Sequence, residues 1–138
     1  MRLCPLYLSI VPIVLSTQLA VAEVRTCADY VSTGLAWNSK LDRFESHPFI
    51  LNKFVLIIEP VSKQLTISQD ELNIIFDCNI LFDISDRWTC FDGGAFMFNI
   101  NVTSGDYIYS KAVGHIGAAN SSMPPDTIAI SVGTCVKL

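Results

Sequence analysis

The chain reads as mainly β, a single-domain antiparallel β-barrel or sandwich of about seven short strands with one short helix, and three observations carry that expectation. Several segments alternate apolar and polar residues with the period of two that a half-buried strand needs, as in Phe96-Met97-Phe98-Asn99-Ile100. Pro, Gly, Asn, Asp and Ser interrupt these segments at the short intervals typical of hairpins. One stretch alone carries helix signals, and no repeat or change of composition marks a second domain. A barrel or strongly curved sheet is preferred over a two-sheet sandwich, because bringing the terminal strands together removes exposed edges.

Residues 1–22 have the form of a secretory signal peptide: Arg2 supplies a positive start, Leu6 to Leu15 an apolar stretch, and Ala20-Val21-Ala22 a small-residue cleavage site. Pro5 and Pro12 interrupt the apolar stretch, and no later segment approaches the roughly 20 apolar residues of a membrane span. The expectation is an exported protein without a stable membrane anchor, whose folded part is residues 23–138. Cys4 precedes the apolar stretch and leaves with the leader.

Cys27, Cys78, Cys90 and Cys135 remain, and in an oxidising compartment thiols pair. Four cysteines allow three connectivities. The preferred one joins Cys78 to Cys90 across a short loop and Cys27 to Cys135, tying the first strand to the last. Zinc would need closely spaced cysteine pairs or neighbouring histidines, which are missing, so no metal or other cofactor is expected.

A first strand runs from Cys27 to Trp37, and Asn38 to Asp42 forms its turn. The next run, FILNKFVLII from Phe49 to Ile58, is apolar at both parities and reads as a central strand covered on both faces. Glu59-Pro60-Val61-Ser62 breaks it, since proline has no amide hydrogen to give a ladder. Lys63 to Ile67 returns as a short strand. Ser68-Gln69-Asp70-Glu71 fits a capping box, with Leu72, Ile75 and Phe76 at helical spacing behind it, and predicts the one helix over 69–76. Between Cys78 and Cys90 the pattern is ambiguous, a strand over NILFDI followed by a turn at Ser85-Asp86-Arg87. Gly93-Gly94 then gives a bend or bulge before the strand of Phe96, Phe98 and Ile100. Thr103-Ser104-Gly105-Asp106 supplies a hairpin turn, and Tyr107 to Val113 runs back. Residues 114–125, rich in Gly, Asn, Ser and Pro, read as a long surface loop, and the alternation from Ile128 to Cys135 is the last strand.

Charge excludes one class of partner. Nine basic against thirteen acidic residues give a net charge of −4, and the few Lys and Arg are scattered, so no nucleic acid is expected as partner. Candidate chemistry is thin. The two histidines, His47 and His115, sit in turn-like contexts without a nucleophile elbow. Asp77, Asp83, Asp86 and Asp92 cluster in sequence but do not follow a calcium-loop spacing. Cys90 is flanked by Thr89 and Phe91, with no cation beside it to activate a thiol. Asn101-Val102-Thr103 and Asn120-Ser121-Ser122 match the glycosylation acceptor and are read as surface turns. The aromatic residues Trp37, Trp88, Tyr107 and Tyr109, with Tyr30, are the candidate binding residues, because such rings are enriched where proteins recognise partners.

Taken together, GLAWN at 34–38, PFIL at 48–51, the pair Cys78 and Cys90, DGG at 92–94, FNINVTSG at 98–105 and GTCVKL at 133–138 resemble a group of short exported proteobacterial proteins. That uncharacterised group shares a G-L-x-W-N start, a central cysteine pair followed by Asp-Gly-Gly, an F-N-x-x-T-G-like hairpin and a C-terminal cysteine. The resemblance implies a bacterial periplasm, and with it no glycosylation. It brings no activity, ligand or catalytic residue. This chain has two extra residues between Asn99 and Gly105, which leaves the hairpin register open.

The functional expectation is a small periplasmic or secreted binding module without catalytic activity, meeting an envelope protein. The alternatives are a β-barrel carrier of a small apolar ligand, and a hydrolase using His47 or His115 with an Asp from 77–92.

Overall fold

The structure, a computed structural model, describes residues 21–80, 86–111 and 127–138. Most of the leader, Cys4, Asp83, His115, Asn120 and the 114–125 loop lie outside the described residues. Nine strands are present among the described residues: β1 (Glu23–Asn38), β2 (Arg43–Pro48), β3 (Lys53–Glu59), β4 (Gln64–Gln69), β5 (Leu72–Ile80), β6 (Arg87–Phe91), β7 (Phe96–Asn101), β8 (Asp106–Lys111) and β9 (Ile128–Lys137). All pairings are antiparallel between neighbours, and β9 returns to β1, so the sheet closes into a barrel rather than a sandwich. β2 and β3 share one edge of β1: β3 pairs with Glu23–Ala28 and β2 with Thr33–Asn38. They count as one barrel position, which makes the barrel eight-stranded.

The long first strand keeps its inside in register by one bulge. Arg25, Cys27 and Asp29 point inward, pairing jumps from Asp29–Gly133 to Val31–Val132, and Ser32 then takes over the buried parity. Tyr30 is the extra residue and lies outside. Across the barrel, Phe54, Leu56, Ile58, Leu65, Ile67, Phe76, Phe98, Ile100 and Tyr107 fill the interior. Phe98 stacks on Tyr107 at 5.1 Å and Phe54 meets Tyr107 edge-on at 5.5 Å. The outward positions are mixed, polar at Thr66, Asn73, Asp77, Asn99 and Asp106 and apolar at Ile75, Ile108, Ile130 and Val136. No helix among the described residues is long and apolar enough to cross a membrane.

Two sequence expectations are corrected. The 69–76 segment is not a helix: Gln69 pairs with Leu72 around a two-residue turn, and the chain continues as β5. Asp70 takes a φ of 52°, a left-handed conformation that aspartate tolerates, and this turn displaces the capping box. Ile74 and Phe76 then face in while Asn73, Ile75 and Asp77 face out, a period of two that the helical spacing had masked. The Phe49–Ile58 run is not covered on both faces either. A closed barrel has a single apolar interior, so Phe54, Leu56 and Ile58 are buried while Val55 and Ile57 are only half-buried. Phe49 to Asn52 leaves the ladder altogether, anchored by the Phe49 amide on the Ser32 carbonyl at 3.1 Å and the Asp29 amide on the Asn52 carbonyl at 3.0 Å.

Both disulfides join directly opposed residues inside the barrel: Cys27 to Cys135 across β1 and β9, and Cys78 to Cys90 across β5 and β6. They are consistent with an oxidising location. On β9 the inward positions are the small ones, Ser131 and Gly133. A Cβ on Gly133 would lie 2.3 Å from both the Ala28 carbonyl and the Tyr107 hydroxyl, so only glycine lets Tyr107 span the interior.

Candidate functional site

The two ends of the barrel differ. At one end the β7–β8 turn folds across the opening: the Asn101 side chain accepts from the Thr103 and Ser104 amides, and Gly105, at a φ of 85°, accepts from the Cys135 amide at 2.9 Å. Arg25, only 2% exposed, donates to the Val102 carbonyl and pairs with Glu23, which also meets Lys137 at 2.9 Å. Burial would raise the Glu23 carboxyl, but the hydrogen bonds and charges of Lys137 and Arg25 hold it below its usual value. This end is plugged.

Among the described residues the opposite end is a mouth. β1 and β2 rise beyond it as a hairpin, closed by Asn38 donating to Glu45 at 2.8 Å and by the Arg43–Glu45 pair at 2.9 Å. Beside the hairpin foot, the 49–52 segment holds Ile50 86% exposed, with Leu51 and Leu72 also exposed. Below them a hollow of about 40 Å³ is lined by Asp29, Asn52, Phe54, Gln69, Leu72 and Tyr109, among others. Asp29 forms its floor. The Tyr107 hydroxyl donates to one carboxylate oxygen at 2.6 Å and the Asn52 amide to the other at 3.0 Å. Gln69 donates to the Asn52 side chain over a long 3.4 Å. Burial, then the hydrogen bond and charge of Asp29 with a smaller contribution from Tyr30, pushes the Tyr107 phenol far above its usual value. Burial, with the charges of Asp92 and Asp29, pushes the Tyr109 phenol up to about 12. Above the hollow, the Tyr109 ring stacks on Phe96 at 5.6 Å, and the Lys111 ammonium sits 5.8 Å from the Phe96 ring centre.

Two wider hollows of about 510 Å³ each lie on the outer face, one including Thr89, Asn99 and Ile108, the other Thr26, Val55 and Ser68. Their charged members, Arg87 and Asp106, and Lys53 and Asp70, are exposed. Of these three hollows, the one at the mouth alone holds a buried charge among the described residues. Its size admits roughly three waters, whereas ligand pockets span about 300–1,000 Å³. The mouth hollow is therefore too small for a fatty chain.

The four candidate aromatic residues do not converge. Trp88 and Tyr107 are core residues, Tyr109 lines the mouth, and Trp37 packs edge-on to Phe44 at 5.1 Å on the hairpin. The aspartates separate too: Asp77 accepts from Gln64 at 2.9 Å, Asp86 from Asn101 at 3.1 Å, and Asp92 caps its own turn by accepting from the Gly94 and Phe96 amides. His47 lies edge-on to Phe49 at 5.1 Å, and no hydrogen bond among the described residues joins it to these carboxylates. No group of three or more metal-ligating side chains occurs among the described residues. Sequence reasoning missed Asp29 and Asn52. Asp29 sits among β-branched and polar residues of an evident strand, and the one available signal was an acid at inward parity. Comparison with protein-family models, curated proteins and solved structures finds no match for the chain.

Proposed function

We propose that the protein is a binding module, exported by its leader to an oxidising compartment such as a bacterial periplasm, which meets a partner in the envelope through the barrel mouth. The asymmetry of the ends carries this reading. One end is sealed by the Arg25 plug and the 102–105 turn, while the other leaves Ile50 and Leu51 in solvent beside a hollow with a buried carboxylate. Adjacent exposed apolar residues on a covalently braced frame are a feature of recognition surfaces.

Position-specific photo-crosslinking tests it. A photoreactive side chain at Ile50 should yield a discrete adduct in intact exporting cells, and one at Val61, 78% exposed in the β3–β4 turn at the plugged end, should not. Equal labelling from both positions, or none from either, would refute a mouth-directed partner.

A further inference from the structure

We propose that the mouth hollow receives a primary ammonium group carried on an unbranched carbon stem, an inference that rests on the mouth being the recognition end. Asp29 is 8% exposed and accepts two hydrogen bonds, from the Tyr107 hydroxyl and the Asn52 amide, both neutral donors. A carboxylate has about four acceptor positions, so about two stay open. Among the described residues no cation pairs with it; the ion pairs there belong to Glu23 and Glu45. A buried carboxylate ordinarily holds a cation, because removing its charge from water is costly unless an opposite charge replaces the solvent.

The lining specifies which cation. An ammonium has three N–H donors, and Asp29, Asn52 and Gln69 supply three oxygen-bearing side chains around one hollow. The 3.4 Å Gln69–Asn52 bond is weak enough to exchange for a charged donor. Leu72 and Ile74 offer an apolar wall for methylenes, and Tyr109 adds a ring of the kind that attracts ammonium groups. The volume, about 40 Å³, matches an ammonium with one or two methylenes and excludes a tetraalkylammonium. Such a group arrives either on a free amine or as the tip of a lysine side chain.

The test is an NMR titration of the full, disulfide-bonded, 15N-labelled chain with methylammonium, cadaverine and Nα-acetyl-lysine methylamide. Tetramethylammonium and potassium chloride serve as size and ionic controls. Saturable shifts of the Asn52 amide and the Gln69 side-chain amide are expected with all three primary amines and with neither control. Asp29→Asn should weaken binding by about tenfold or more, the loss of one charge-assisted contact. If that variant does not fold, Gln69→Leu, at the half-buried rim, should fold and bind several-fold more weakly. Tighter binding of cadaverine identifies free amines as the source, and tighter binding of the capped lysine identifies a protein side chain; either supports the proposal. No saturable shift with any primary amine, the same shifts with potassium, or unchanged affinity in a folded variant would overturn it. An Ile50 adduct with an amine-silent mouth would refute this inference alone, and amine binding without the adduct would refute the partner reading.

Discussion

Tyr107→Phe isolates the bond that holds the barrel floor. The ring keeps its stacking on Phe98 and its edge contact with Phe54, so the variant removes one hydroxyl and its 2.6 Å bond to Asp29. A hydrogen bond to a charged group contributes about 1.5–3 kcal/mol. Asp29 would be left with the Asn52 amide alone, in a site 8% exposed, which places the loss toward the upper half of that range. At about 3–6 °C per kcal/mol for a domain of this size, Tm should fall by roughly 7–18 °C. Urea unfolding followed by tryptophan fluorescence under non-reducing conditions should show a lower midpoint with an unchanged slope. The variant should also change the alkaline limb. Because the folded state raises the Tyr107 phenol above its usual value of 10, the folded chain keeps a proton that the unfolded chain has released. Stability is therefore fully present below about pH 10 and declines as pH rises beyond it. Tyr107→Phe should flatten that decline, leaving the smaller contribution of Tyr109, whose phenol is pushed up to about 12. A stability loss under about 0.5 kcal/mol together with an unchanged alkaline slope would refute the assignment.

Gly133→Ala should destabilise by about 1–3 kcal/mol, since its Cβ meets backbone oxygen as well as the Tyr107 ring, and a differential scanning calorimetry trace at wild-type Tm would contradict it. Glu23→Gln leaves the buried Arg25 without its carboxylate and should cost about 1–2 kcal/mol, discounted because Glu23 is partly exposed. The Glu23 carboxyl is held below its usual value of 4.5, so its contribution is present above that pH and lost as pH falls; the variant should show a shallower acid decline by circular dichroism. Removing Cys27–Cys135, with a separation of 108 residues, should cost more than removing Cys78–Cys90, with 12, by about 1–2 kcal/mol on chain-entropy grounds, and reversed urea midpoints would count against that ordering. All four half-cystines are buried, so alkylation after mild reductant should stay negligible until urea is added.

The strands were legible where one face is apolar and turn residues flank them. Phe96, Phe98 and Ile100 face the interior as the alternation indicates, and the turns expected at 38–42 and 59–62 fall where Asn, Pro and Ser mark them, the second running one residue further through Lys63. The 69–76 segment was misleading because Leu72, Ile74 and Phe76 satisfy period two while Leu72, Ile75 and Phe76 satisfy the helical spacing. Pairing of Leu65 with Phe76 and Ile67 with Ile74 decides between them, and pairing is not local. The mouth was illegible for a related reason. Asp29, Asn52 and Gln69 are far apart along the chain and meet only because a bulge at Tyr30 and the departure at 49–52 occur at the same height of the barrel. Aromatic side chains mark a binding face by composition alone, and here the closed barrel draws Trp88 and Tyr107 into its core instead.

The bond between Cys27 and Cys135 makes a covalent ring of nearly the whole folded chain. A protease that severs any one peptide bond within that ring opens it without releasing a piece, so a nicked molecule gains only the mass of one water and, with its strands still laced by the sheet, keeps its shape. On a non-reducing gel such material should migrate as one band and part into two only after reduction. In a compartment crowded with hydrolases, a first cut would then be survivable.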